Sequence, residues 1–389
     1  MYTLLVSSPL SAEMTTLLPR VETMVGVLYF ALFAMSFDFV SGYTGYLSFG
    51  HAAFYGTGAY LVVLAANGKL PLLGAETPFV LLLVLGGLLA LLLALLIGAV
   101  SFRLTGVYFA MITLGFSQVL YVFVRDWDFV GSNPRDGIAV TGRTTGFEIG
   151  VPGVDALNLA IGQLSGDEIE GLLGFVSLST TEVSYYMVGL VVLVCYFAMQ
   201  RIIHSPFGRV MVAIRENEER AEAVGYDTFR YKLGAFAISA FFAAVAGGLF
   251  AGFRRSATPE NAFFFLVAGD ALLAAIIGGF GTLAGPLYGR LFDETVREFL
   301  SKAGEGGGLL PYLQSQLGEA TLSTVVYDGL TVGEAIDTFL NGHAALYVGL
   351  LFVLFVLYVP NGMVGTVRDR LGGRVAERLP AALGRRFDR

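Results

Sequence analysis

Cysteine, histidine, lysine and tryptophan are close to absent from this 389-residue chain, which has one Cys, three His, three Lys and one Trp. The single Cys195 excludes an intrachain disulfide, a CxxC redox pair and a cysteine-built zinc site. His51, His204 and His343 show no ligand spacing, so no metal and no cofactor is expected. The GxxxxGK[ST] phosphate loop, GxSxG and HExxH are all missing. The chain therefore reads as no enzyme, with no catalytic residue and no ATP site of its own. Charged residues make up only 14% of it, where a soluble domain carries about a quarter. The net charge of −7 speaks against nucleic acid as a partner. No basic n-region precedes an apolar run in MYTLLVSSPLSAEMTTLLPR, so the start does not read as a cleavable signal peptide.

What is abundant is apolar side chain, 55% of residues, with a mean hydropathy of +0.71. A spanning helix needs about 20 mostly apolar residues. Runs near 22–40, 47–66, 78–100, 104–124, 184–203, 233–252, 263–281, 283–300 and 344–360 qualify or nearly do, with glycine interrupting the second, seventh and eighth. They predict an all-α polytopic membrane protein, a single transmembrane domain over 1–389 with about eight to ten spans. Between the runs, 126–183 holds nine acidic residues and only Arg135 and Arg143 as basic ones, and 301–343 is acidic and glycine-rich. Lys and Arg in short loops mark the cytoplasmic side. Arg209, Arg215, Arg220, Arg230 and Lys232 place 204–232 there, and seven arginines after 366 make 366–389 a cytoplasmic tail. Counting spans from these puts 126–183, 301–343 and the N-terminus outside.

Two apolar segments are rich in glycine and polar residues. Ser41–Tyr60, SGYTGYLSFGHAAFYGTGAY, carries five glycines among Tyr, Thr, Ser and His51; Ile277–Gly289 reads IGGFGTLAGPLYG. Small residues serve close helix packing. They also fit broken helices whose freed backbone lines protein or a water-filled path, and such a pair in two halves of a chain points to a substrate path. Asp38, His51, Gln118 and Asp270 are the polar groups at membrane depth.

Between apolar blocks lies SPFGRVMVAIRENEERAEAVGYDTFRYKL, 205–233. Ser205 as N-cap, Pro206 at the first position and Gly225 as a left-handed stop predict one helix across 206–224. Val210, Ile214, Ala221 and Val224 form its narrow apolar stripe. By spacing alone this is a solvated loop helix or a docking surface.

Together these motifs resemble the LivM-type permease subunit of branched-chain amino acid ABC importers over about residues 24–366. The likeness rests on GYTGYLSFGHAAFYGTGAY (42–60), LTGVYFAMITLGF (104–116), GRVMVAIRENEERAEAVGYDTFRYKLGAFAISA (208–240), ATPENAFFFLVAGDALLAAIIGGFGTLAGPLYG (257–289) and VPNGMVG (359–365). Asp38 stands where the family more often has Asn. The resemblance implies an importer permease fold with broken glycine-rich helices and transport by alternating access. It implies a second homologous permease subunit, two ABC ATPase subunits, an extracytoplasmic solute-binding protein and surrounding membrane lipid. Matching the family motif, Gly208, Arg209, Ala213, Arg215, Glu216, Ala221, Gly225 and Lys232 would dock the ATPase. The path would be lined by Tyr43, Thr44, Gly45 and Ser48, with His51, Gln118, Asp270, Gly278, Gly279 and Gly281 as further candidates. Two other readings stay open: an ion-coupled secondary transporter using Asp38, His51 and Asp270, and a membrane scaffold without transport.

Overall fold

The computed structural model describes residues 19–74, 77–131, 133–140, 148–151, 154–158, 169–172, 176–178, 180–301, 317, 319–327, 330–340, 344–359 and 362–366. Among them, seven helices are long and apolar enough to cross a membrane, and one shorter apolar helix joins them. The first four elements are α1 (Val21–Thr44), α2 (His51–Ala66), α3 (Phe79–Ser101) and α4 (Val107–Arg125). After a polar stretch, α5 (Thr180–Ile203) leads into two short helices, α6 (Pro206–Glu216) and α7 (Glu218–Ala223), and then α8 (Thr228–Arg254). α9 (Pro259–Ala262) and α10 (Phe265–Gly278) form one bent apolar unit, followed by α11 (Gly285–Ser301). α12 (Glu319–Leu322), α13 (Val332–Leu340) and α14 (Ala344–Tyr358) close the series. The chain is an all-α polytopic membrane protein. Strand structure among the described residues is limited to four two-stranded pairs, one of which joins β1 (Ile138–Ala139) to β2 (Ser256–Ala257).

α8 is the axis, packed against α1, α2 and α3. Its sequence over 235–252, AFAISAFFAAVAGGLFAG, is mostly Ala, Gly and Phe. Lipid tails are as apolar as the helices, so association in a bilayer comes from close approach and dispersion rather than from escape from water. The α2–α8 contact shows how: a Cβ on Gly58 would collide with the Ala244 carbonyl, and one on Gly247 with the Tyr55 carbonyl. A polar rung crosses the same interface. The Ser239 hydroxyl donates to the Ser36 carbonyl (2.5 Å), so it must accept from Nε2–H of His51 at 2.6 Å.

Two runs differ from the sequence expectation. The one at 47–66 starts as coil, and its helix begins only at His51. The run at 283–300 lies outside the seven apolar spans, because α11 carries Arg290, Asp293, Glu294, Arg297 and Glu298. Four of these charges pair along the helix itself, and Glu298 accepts the Arg20 N–H at 3.2 Å. Arg290 pairs with Asp293 (2.8 Å) and Glu294 (2.5 Å), and Arg297 with Asp293 (3.0 Å). The Arg290 guanidinium also sits 4.3 Å over the Phe30 ring of α1.

Candidate functional site

α1 stops at Thr44 because Gly45 turns left-handed, φ 80° and ψ 2°, with its N–H bonded back to the Ser41 carbonyl at 3.2 Å. Residues 45–50 are unwound before α2 begins. The second break runs from the end of α10 at Gly278 to the start of α11 at Gly285, through Gly279 (φ 126°) and Gly281 (φ 77°). Both segments are thus broken helices, and they meet each other. The Asp38 carboxylate accepts the Gly281 N–H at 2.8 Å, and the Tyr43 hydroxyl accepts the Leu283 N–H at 3.1 Å. A Cβ on Gly42 would stand 2.8 Å from the Gly281 Cα, so only glycine lets the two backbones approach.

The 205–233 segment starts as its caps predict: Ser205 accepts the Gly208 N–H at 3.5 Å, and Pro206 opens α6. It does not continue as one helix to Val224. Asn217 is extended (φ −164°, ψ 105°), and its side chain caps α7 by accepting the Arg220 N–H at 2.8 Å. A side chain that prefers caps to helix interiors has divided the helix. Val210, Ile214 and Ala221 keep a small core with Tyr231. Val224 falls outside the stripe and is 74% exposed, because it lies one residue past the end of α7. Pro206, Arg209, Val210, Ala213 and Tyr226 line an open pocket of about 290 Å³ on this pair.

The residues matched to the docking motif separate into two groups. Arg209, Ala213, Glu216 and Gly225 are exposed, whereas Gly208, Ala221 and Lys232 are buried within their own chain. Arg215 is exposed as a residue, yet its Nη1 donates to the Gly42 carbonyl at 2.5 Å. Lys232 pairs with Glu218, donates to the Tyr46 hydroxyl at 3.1 Å and lies 4.7 Å over the Tyr46 ring. Tyr46 in turn donates to Glu218 at 2.6 Å. Burial works to raise the Glu218 pKa, but hydrogen bonds from Lys232, Tyr46 and Thr228 outweigh it and hold the carboxyl below its ordinary value.

The path candidates divide likewise. Tyr43, Gly45, Gly278, Gly279 and Gly281 come together at the two breaks. Thr44 is buried with its hydroxyl on the Val40 carbonyl at 2.8 Å, and Ser48 is buried accepting the Gly50 N–H at 3.2 Å. His51 is fully enclosed by Phe37, Phe54 and Phe236. Gln118 is half-buried on α4, and Asp270 half-buried on α10 in the field of Arg290 and Arg297. Sequence reasoning left Gly42, Tyr46 and Glu218 without a role. Asp38, an acid one helical turn before Gly42, carried a signal that tied it to the first break.

Broken apolar helices joined to a capped polar helix pair make this a multi-pass membrane protein. The chain belongs to the family described as branched-chain amino acid transport system, permease component, whose profile matches residues 20–305. It is similar to the high-affinity branched-chain amino acid transport system permease protein LivM of Escherichia coli K12, 27% identical over 309 residues, covering 75% of this chain and 69% of that protein. LivM of Salmonella typhimurium is 29% identical over 259 residues, covering 66% of this chain and 57% of that protein. A probable branched-chain amino acid transport permease protein LivM of Methanocaldococcus jannaschii is 32% identical over 111 residues, 27% of this chain and 30% of that protein. No solved structure matches the chain. As a member of this family it is a transport component and not an enzyme.

Proposed function

We propose that this chain is the membrane-embedded permease subunit of an ATP-driven ABC importer that moves branched-chain or related amino acids by alternating access. The observation that carries the reading is the exposed face of α6 with its pocket at Pro206, Arg209, Ala213 and Tyr226. A capped amphipathic helix that holds its own small core and leaves a concave charged face open is suited to receive a partner surface. The chain lacks an ATP site, so the energy enters from outside it.

In this reading α11 crosses beside α1, from the Gly42–Gly281 contact to the Arg20–Glu298 bond at 3.2 Å, so that 204–232 and the tail 366–389 are cytoplasmic, and 126–183 and 301–343 face the outside. Two ABC ATPase subunits dock on α6 through Arg209, Ala213 and Glu216, a second homologous permease subunit completes the path, and a solute-binding protein outside delivers the amino acid. Lipid covers the exposed apolar faces of α3, α4, α5 and α14, which include Leu92, Leu96, Met111, Val194 and Leu357. The solute passes close to the two helix breaks, where Tyr43, Gly45 and Gly281 offer hydroxyl and backbone groups suited to a zwitterion.

The test is leucine uptake by proteoliposomes holding the complete set of subunits, with the docking arm carried by Ala213→Trp. Uptake requiring internal ATP, and loss of the ATPase from the purified complex on filling the pocket, support the proposal. Uptake by the chain alone on a proton or sodium gradient would overturn it in favour of an ion-coupled secondary transporter. ATPase retention unchanged in Ala213→Trp would remove α6 as the dock.

A further inference from the structure

The unwound segment after α1 is gripped on both sides of its hinge by the α6–α7 pair. Before the hinge, Arg215 at the end of α6 donates to the Gly42 carbonyl at 2.5 Å. After it, Tyr46 donates to Glu218 at the start of α7 at 2.6 Å and accepts from Lys232 at 3.1 Å. Gly45, the left-handed residue, stands between the two grips. The grips also come from opposite sides of a second bend, because Asn217 separates α6 from α7 in extended conformation. Finally, the first grip touches the other break. A Cβ on Gly281 would lie 2.8 Å from Arg215 Nη1, and Gly281 is itself bonded to Asp38 at 2.8 Å.

We propose that Arg215 and the Glu218–Tyr46–Lys232 cluster are positioning residues that clamp the Gly45 hinge, so that displacement of α6 against α7 turns the first break and, through Gly42 and Gly281, the second. Arg215 and Lys232 then act inside the chain rather than on the ATPase. The physical requirement is a stiff link between polar helix pair and unwound backbone. A charge-assisted bond to a helix-terminal carbonyl meets it, because that carbonyl has no partner further along its own helix. The ion pair on the other side is held under the Tyr46 and Phe102 rings, with Lys232 at 4.7 and 5.8 Å from their centroids. The inference rests on the reading of α6–α7 as the ATPase-facing pair.

The experiment compares wild type, Arg215→Gln and Tyr46→Phe in the full transporter, reading ATPase retention, hydrolysis rate and solute moved per ATP. Both variants are expected to keep the ATPase bound and hydrolysing, while solute moved per ATP falls by about tenfold, the scale of one lost charge-assisted bond. Tyr46→Phe preserves the ring and the ion pair, so it reports the hydroxyl link even if Arg215→Gln fails to assemble. Transport per ATP unchanged in Tyr46→Phe overturns the clamp. So does loss of the ATPase from Tyr46→Phe, or from an Arg215→Gln permease that is itself folded and monodisperse, which would place those residues on the docking surface. Failure of the ATPase-driven reading shows separately, as wild-type transport that needs no ATP.

Discussion

Arg215 and Gly42 lie 173 positions apart in the chain, yet a guanidinium nitrogen of one donates to the carbonyl of the other at 2.5 Å. The acceptor belongs to the last turn of α1, where backbone carbonyls run out of helical partners and the helix dipole is negative. A cation from the polar helix pair satisfies both needs. The price is a tight junction at which Gly42, Asp38 and Gly281 share one small volume.

That crowding predicts the effect of a single methyl group. In Gly42→Ala the new Cβ meets the Asp38 carboxylate and the Gly281 backbone, 2.8 Å away, and the two breaks must separate. Overpacking of this kind costs about 1–3 kcal/mol. Gly115→Ala is the control, since nothing lies within 4 Å of a Cβ there. Thermal unfolding followed by size-exclusion chromatography in detergent should show a lower midpoint for Gly42→Ala and no lowering for Gly115→Ala. Equal midpoints would refute the close junction.

Glu218 makes the clamp sensitive to acid. Its folded pKa lies below the ordinary value, so its contribution to stability is complete above the unfolded value of about 4.3 and is lost as pH falls through the folded one. Replacing it by Gln leaves Lys232, whose side chain is 5% exposed, without a counter-charge. Breaking one side of such a pair costs about 3 kcal/mol. The stability gap between wild type and Glu218→Gln should therefore be constant from pH 8 to about 5 and shrink below about 4. A gap that widens on acidification would show that Glu218 is not the stabilising partner.

The legible part of this molecule was what local chemistry dictates. Apolar runs named the spans, Ser205 and Pro206 gave the start of α6, and the glycines marked both breaks. What could not be read was which group faces which. Arg215 and Lys232 look like surface charges on a polar helix and turn inward only because the unwound segment 45–50 and the break at 279–284 lie beneath them. Asn217 looked like one more polar helix residue until its side chain found the Arg220 N–H. The run at 283–300 reads as nearly apolar, yet Arg290–Glu294 and Asp293–Arg297, both four residues apart, spell out an ion-paired helix.

His51 offers a direct comparison between packing and transport. It is enclosed by three phenylalanine rings and bonded to Ser239, whose own proton goes to the Ser36 carbonyl. Ser239→Ala strips the imidazole N–H of its acceptor. Interhelical polar bonds in membranes average about 0.6 kcal/mol and reach about 1.7, so a loss of about 1 kcal/mol is expected. The same variant should keep the substrate preference of the assembled transporter unchanged. Altered preference with unaltered stability would put His51 on the path instead of in the core.

The placement of α6 over the hinge can be captured covalently. An ideal Cβ built on Gly45 lies 3.9 Å from the Cβ of Arg215, inside the Cβ separation of about 3.5–4.5 Å that a disulfide spans. Gly45→Cys with Arg215→Cys should therefore cross-link within one chain on mild oxidation. Position 45 is left-handed, so a non-glycine residue there costs about 1–2 kcal/mol, small enough for the chain to fold. Cys195, buried on α5, is first replaced by Ala to leave only the new thiols. Maleimide-polyethylene glycol labelling should add two mass steps in the reduced double variant and none after oxidation, with each single variant labelled once under both conditions. Two free thiols after oxidation would mean that α6 does not lie over the end of α1, and the clamp would lose its geometric basis.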